Sequence, residues 1–263
     1  MPEPKCILSL FDNSGAWSQP FWEEGHNIVE ADIKNVIPLD VGEFSATWLM
    51  EEVMENFGMV DGILSAPPCT DFAASGAQYW KRKDLDGTTE RSIHLVRQVL
   101  RCVEFCKPDW WVLENPVGRI HKLVAELGTP TLIFDPCDFA GYLASSEDDI
   151  ALLDDLRVRS ARGEQIDKAG IEAVKRLNAY TKKTCMWGEF SIPEKRRIEP
   201  VRVSAQGSWT QLLGGKSEAT KAARSVTPEG FSRAFASANC WAEIPEPSIN
   251  ELDEGESSSG IRL

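Results

Sequence analysis

Apolar residues along the chain fall into short unbroken runs, separated by turn residues and by longer amphipathic stretches. Residues 5–11 form one such run and end in Asp12-Asn13-Ser14-Gly15, which predicts a buried strand entering a tight turn. Residues 19–24 predict a short helix stopped at Gly25-His26; residues 27–33 predict a second strand and 36–39 a short third. An amphipathic helix is expected over 43–57, with Phe44, Trp48, Val53 and Phe57 as its apolar positions. Residues 60–64 read as a strand running into Ser65-Ala66-Pro67-Pro68-Cys69, residues 89–106 as a long helix, and residues 110–113 as a strand entering Glu114-Asn115-Pro116. Strands and helices alternate, and each strand is almost continuously apolar. This is the pattern of a parallel sheet covered by helices on both faces, an α/β fold. No internal repeat interrupts it.

Residues 145–179 depart from this pattern. They open with Ser145-Ser146-Glu147-Asp148-Asp149 and read as two polar helices, 148–162 and 167–178, joined at Gly163. The chain therefore divides into a catalytic and cofactor-binding part (1–144), a helical insertion (145–179), the remainder of the catalytic domain (180–242) and an acidic tail (243–263) expected to be disordered.

Composition narrows the picture. The 263 residues, 42% apolar and 26% charged, suit one large globular domain with an appendage. No stretch approaches the roughly 18–20 apolar residues of a membrane span, and the first residues carry no signal-peptide pattern, so no membrane partner is expected. Seven cysteines without a CxxC pair read as intracellular thiols, and a cytoplasmic location is expected. A net charge of −13 argues against a polyanionic partner until its distribution is considered. Residues 157–233 hold 16 Lys and Arg against 8 Asp and Glu, while the rest of the chain holds 12 against 33. Only that basic segment offers a face to nucleic acid; its plainer reading is a solvated surface.

In an open parallel sheet, ligands sit at the carboxyl ends of the strands. The turn Phe11-Asp12-Asn13-Ser14-Gly15 lies at the first such end, without a GxGxxG pattern. Asp32 ends the second strand, where a carboxylate accepts ribose hydroxyls, and Asp40 ends the third, where it could accept from an adenine amine. Three such groups in order point to an adenosyl cofactor. Cys6, Cys102 and Cys106 suit inert packing. Cys69 does not, since two prolines present it in a turn beside Thr70 and Asp71. Glu114 at the end of an apolar strand would be desolvated and so protonatable near neutrality. A thiol and a protonatable carboxyl above an adenosyl site suggest covalent chemistry on a heterocycle. His26, His94 and His121 show no metal-ligand spacing, and no metal is expected.

Taken together, Phe11-x-Asn13-x-Gly15, Asp32, Asp40, Pro67-Pro68-Cys69 and Glu114-Asn115-Pro116-Val117 resemble the DNA cytosine-5 methyltransferases, especially the short phage-type members. Thr181 to Gly188 and Arg224 to Phe231 resemble the family's later motifs; the likeness covers about residues 5–142 and 180–240. It implies a Rossmann-like, S-adenosylmethionine-dependent methyltransferase fold acting on duplex DNA in a bacterial or phage-infected cell, the oligomeric state being left open. In that family the positions of Cys69, Glu114, Asn115 and, more loosely, Lys183 are catalytic. The thiolate adds to carbon-6 of a flipped cytosine and the methyl group goes to carbon-5. The cofactor wall would comprise Phe11, Asp12, Asn13, Gly15, Trp17, Asp32, Ile33, Asp40 and Pro67, with Arg224 and Ser225 near the transferred group.

Four departures from the family pattern qualify that expectation. Asn13 replaces a glycine, and asparagine is the residue other than glycine best able to hold positive φ. Pro116 replaces the usual valine. Only about 35 residues separate Trp187 from Arg224, too few for a large recognition domain, so contacts to DNA should fall mostly on phosphate. Arg224 replaces an asparagine, and a guanidinium there would pair with a carboxylate. The donor would then be carboxy-S-adenosylmethionine and the product 5-carboxymethylcytosine. Two further alternatives stay open: an RNA- or nucleotide-modifying relative, and an inactive DNA-binding regulator.

Overall fold

A computed structural model of the chain describes residues 3–12, 14–31, 55, 58–205, 207–214 and 217–240. The expected strand at 36–39, nearly all of the helix at 43–57, the acidic tail, and Asn13, Asp32, Ile33 and Asp40 lie outside the described residues. The described strands are β1 (Cys6–Leu10), β2 (Asn27–Ala31), β3 (Gly62–Ser65), β4 (Trp110–Pro116), β5 (Leu132–Phe134) and β6 (Thr184–Glu189). The helices are α1 (Gln19–Glu23), α2 (Trp80–Leu85), α3 (Thr88–Cys106), α4 (Ile120–Leu123), α5 (Glu147–Ala161), α6 (Lys168–Arg176), α7 (Glu218–Ser225) and α8 (Glu229–Asn239).

The six strands form one sheet in the order β2-β1-β3-β4-β6-β5. Pairing is parallel from β2 through β4, and β6 runs antiparallel between β4 and β5. Every residue of β1 and β3 is buried, which explains their unbroken apolar sequence: both faces are covered. Alternate residues feed different cores. Leu8, Leu10, Ile63 and Leu113 pack with Ile93, Leu95, Val96 and Val99 of α3. Ile7, Leu64, Trp110 and Val112 pack with Phe21 of α1 and with Phe231 and Phe235 of α8. The mostly parallel sheet with helices on both faces is the Rossmann-like α/β arrangement expected. Among the described residues, no helix is long and apolar enough to cross a membrane.

Two features differ from the sequence expectation. Strand β4 extends through Pro116, because β6 pairs with its far end: Glu114 faces Met186, Asn115 faces Cys185 and Pro116 faces Thr184. The insertion forms its two helices within a few residues of the expected bounds, capped by Ser146, which accepts from Asp149 N at 3.1 Å, and by Asp167, which accepts from Gly170 N at 2.8 Å. Yet it is not simply polar. Leu153, Leu156, Ile166, Val174 and Leu177 form a third core with Tyr180, Val201 and Trp209.

The loops after β3 and β4 are laced together. Ala74 N donates to Val117 O at 3.0 Å and Arg119 N to Phe72 O at 2.9 Å, on either side of an isolated bridge between Ala73 and Gly118. A Cβ on Gly118 would overlap the Phe72 carbonyl, so this backbone approach requires glycine. Gly118→Ala is expected to cost about 1–3 kcal/mol, the usual penalty of overpacking. The measurement is a lowered urea midpoint at unchanged m-value; an unchanged midpoint would show that the loops separate freely.

Candidate active site

The chain passes from β1 to β2 on one side and then to β3 on the other side of β1. The reversal therefore lies between β1 and β3, and the crevice at their carboxyl ends is the ligand position of open α/β sheets. Phe11, the first residue after β1, has φ 64°, an unusual backbone conformation for a bulky side chain, and Gly15 also has φ 64°. Gly15 N closes the turn on Asp12 O at 2.9 Å. The buried Asp12 carboxylate accepts from Trp17 N and Ser18 N, each at 3.1 Å, and from the hydroxyls of Ser14 and Ser18, each at 3.2 Å.

These contacts revise part of the expected cofactor wall. The Asp12 carboxylate holds the turn and the start of α1 together. Trp17 is fully buried, its ring 6.3 Å from Phe231 and 6.1 Å from Phe235, so it belongs to the core. Phe11, Gly15 and Pro67 remain at the strand ends. Ser225 and Arg224 end α7 and are exposed; the Arg224 guanidinium donates to Leu213 O.

The candidate reactive groups, Cys69 and Glu114, sit at the ends of the adjacent parallel strands β3 and β4. Asn115 Nδ2 donates to Pro67 O at 3.1 Å, tying the end of β4 to the Pro67-Pro68-Cys69 loop. Its Oδ1 is buried with no partner among the described residues. Cys69 is half-buried, and its carbonyl accepts from Phe72 N at 3.0 Å and Ala73 N at 2.9 Å. Burial pushes the thiol up to about 11; the Glu114 charge adds to this and Lys182 opposes it. Burial also raises Glu114 above the ordinary carboxylate range, again against Lys182. Cys69, Glu114 and Lys182 therefore act on one another's charge.

Lys183, the expected cation, is exposed and pairs with Asp135 at 3.2 Å. Its neighbour Lys182 is the one beside the pair, with Nζ on Arg224 O at 2.8 Å. The reason is alternation. Glu114 lies directly opposite Met186, so the two share a face of the ladder. Counting back by twos from Met186 through Thr184 reaches Lys182 and passes over Lys183.

A polar network that no motif signalled braces the Cys69 loop. The buried Asp71 carboxylate accepts from Lys83 Nζ at 2.5 Å and from the Ser92 hydroxyl. Arg119 Nε donates to Asp71 O at 3.0 Å, its terminal nitrogens reach Asp84 at 2.9 and 2.7 Å and Thr89 at 3.0 Å, and the guanidinium lies 4.6 Å over the Trp80 ring. Hydrogen bonds from Arg119 and Thr89 hold Asp84 down to about 2. The available sequence signal was an acid and an arginine just beyond the two motifs, Asp71 after Cys69 and Arg119 after Asn115.

Spacing also concealed a cluster away from the crevice. Glu24, His26 and Cys240 bring possible ligand atoms within 4.8 Å of one another. His26 Nδ1 accepts from Lys5 N at 3.0 Å, which leaves the proton of the neutral ring on Nε2. That nitrogen is then a donor rather than a metal ligand.

No family model and no curated protein matches the chain. Among solved structures, it resembles a protein described as a DNA modification methyltransferase encoded within an E. coli prophage, with a TM-score of 0.39 and 15% identity over 81% of this chain and 56% of that one. It also resembles EhMeth, a methyltransferase of Entamoeba histolytica, with a TM-score of 0.39 and 12% identity over 82% of this chain and 62% of that one. The chain thus spans less than two thirds of either.

Two outcomes test the site. Arg119→Met should lower stability by about 2–3 kcal/mol, through lost charge-assisted hydrogen bonds. Because Asp84 is held low, its contribution is present above the ordinary carboxylate range and is lost as pH falls toward 2. Urea unfolding of the variant should therefore show a flatter stability decline across acid pH; an identical decline would detach Asp84 from the network. At neutral pH, iodoacetamide should alkylate Cys69 several-fold more slowly in Lys182→Met than in the parent protein, as read by peptide mass spectrometry. Equal rates would mean that the lysine charge does not reach the thiol.

Proposed function

We propose that the chain is a DNA cytosine-5 methyltransferase. The observation that carries this reading is the Asn115–Pro67 hydrogen bond, which sets the Cys69 loop beside the strand bearing Glu114. A nucleophile and a proton-donating carboxyl are thereby brought together next to the topological switch point. Two features of the described part of the crevice support an adenosyl cofactor there. Two left-handed residues, Phe11 and Gly15, turn the chain at the end of β1, and β1 and β3 deliver Phe11 and Pro67 to the same edge. Bound there, S-adenosylmethionine would supply an electrophilic methyl group on a sulfonium.

Glu114, whose protonated form burial favours, donates a hydrogen bond to N3 of an extruded cytosine and stays uncharged. With no negative charge on Glu114, Lys182 favours loss of the Cys69 thiol proton to water, and the thiolate lone pair forms a bond to carbon-6. That addition makes carbon-5 nucleophilic toward the methyl group that a bound donor would supply, the donor departing as a neutral thioether. Carbon-5 then loses its proton to water, and the electrons of that C–H bond restore the ring double bond as Cys69 leaves. Asn115 holds the two loops in register throughout.

Duplex DNA containing 5-fluorocytosine tests the reading, because fluorine cannot leave as a proton does and the adduct is trapped. A covalent complex that migrates slowly in denaturing gels should form with the parent protein and methyl donor, and should be absent with Cys69→Ser. No adduct in the parent protein would favour a DNA-binding regulator. Single strands, tRNA or dCMP outperforming duplex DNA would favour an RNA- or nucleotide-modifying relative. Nucleoside mass spectrometry with S-adenosylmethionine and with carboxy-S-adenosylmethionine, repeated in Arg224→Asn, reads whether the transferred group is methyl or carboxymethyl.

A further inference from the structure

A cavity of about 460 Å³ opens between the turn after β1, the start of α8 and the core of the insertion, a size usual for small-molecule sites. Five cations line it, but they are not equivalent. Arg233 is paired with Glu23 at 3.3 Å and Glu229 at 2.8 Å, and Arg176 with Asp149 at 3.0 Å. Among the described residues, Lys182 and Arg224 have no carboxylate partner. Lys182 donates to Arg224 O and Arg224 to Leu213 O, both backbone carbonyls. Lys175 lies 5.2 Å over the Trp209 ring and has only the exposed Glu172 at 3.7 Å. The carboxylates that line the cavity, Glu23 and Glu229, pair with Arg233, so Lys175, Lys182 and Arg224 line it without a carboxylate of its wall as partner, and Trp209 forms part of that wall.

Lys182 relates this cavity to the reactive pair, since it lines the one and acts on both members of the other. Cys69 and Glu114 do not line the cavity themselves; Lys182 is the residue shared between the two places, and the cations without carboxylate partners favour an anionic occupant. A nucleotide presented to Cys69 carries its phosphate with it. We propose that the cavity binds the phosphate of the cytosine nucleotide being modified, with Lys175, Lys182 and Arg224 as its counter-charges. The insertion thereby acquires a role, because Lys175 belongs to α6 and Trp209 to the core that α6 helps to build. This inference rests on the cytosine reading above.

The test measures binding alone, by fluorescence anisotropy, in a Cys69→Ser background without methyl donor. Fluorescein-labelled duplex DNA is titrated over a range of salt concentrations. Losing one phosphate contact lowers the slope of log affinity against log salt by about 0.9. Lys175→Gln/Arg224→Gln should show that loss, and Arg101→Gln, an exposed charge on α3 across the sheet, should not. Unchanged circular dichroism and melting of each variant establish folding. Calorimetry with dCMP and with deoxycytidine separates the source of the phosphate. If the double variant loses dCMP binding but keeps the duplex slope, the ligand is a free nucleotide; loss of the duplex slope assigns it to a strand. An unchanged slope together with unchanged dCMP binding, or an equal effect of Arg101→Gln, overturns the proposal. Adduct formation with 5-fluorocytosine is read separately, so an intact adduct beside an unchanged slope rejects the cavity without rejecting the cytosine chemistry.

Discussion

The arrangement at the carboxyl edge of the sheet depends on a single side-chain hydrogen bond, from Asn115 to the Pro67 carbonyl. Parallel pairing brings the ends of β3 and β4 close, but it does not determine how the loops beyond them lie. Two consecutive prolines stiffen one loop and have no N–H with which to bind a neighbour, so the contact must come from outside. Asn115 supplies it, and the backbone bonds between residues 72–74 and 117–119 continue the seam. Gly118 permits the close approach, and Arg119 with Asp71 and Asp84 braces the loop from the α2–α3 side. Interior polar bonds of this kind stabilise modestly when made and cost more when broken, because each orphaned group stays buried.

Electrostatics at the same place keep the thiol quiescent. A thiol pushed up to about 11 is almost wholly protonated near neutrality, and the neighbouring Glu114 strengthens that bias. Lys182 is the counterweight, and its effect grows when Glu114 carries no charge. Cys69 and Glu114 are thus coupled electrostatically through one lysine.

The alternation of apolar runs and helical stretches was enough to read the sheet, α3 and the two insertion helices, because those signals are local. Several site residues were legible for the same reason. Cys69, Glu114 and Asn115 follow directly on apolar strands, and strand ends are where open sheets present chemistry. Lys182 was not legible, because choosing between two adjacent lysines requires the register of β6 against β4, a pairing of residues some seventy positions apart. The packing around Trp17 and Asp12 was not legible for a related reason. α8, more than two hundred residues later, packs against Trp17, and the Asp12 carboxylate ties the turn to the residues that lead into α1.

The amino-acid sequence by itself determined the fold class, the strand ends that bear the candidate groups and the basic character of the later segment, since each is written in neighbouring residues. Only the tertiary structure decided which charges meet. It turned Lys182 rather than Lys183 toward the reactive pair, buried Trp17 in the core, and gathered Lys175, Lys182 and Arg224 around one cavity. The physical reason is range. Hydrophobic periodicity acts over a few residues, whereas the electrostatic environment of Cys69 is the sum of groups that only antiparallel pairing and helix packing bring within reach.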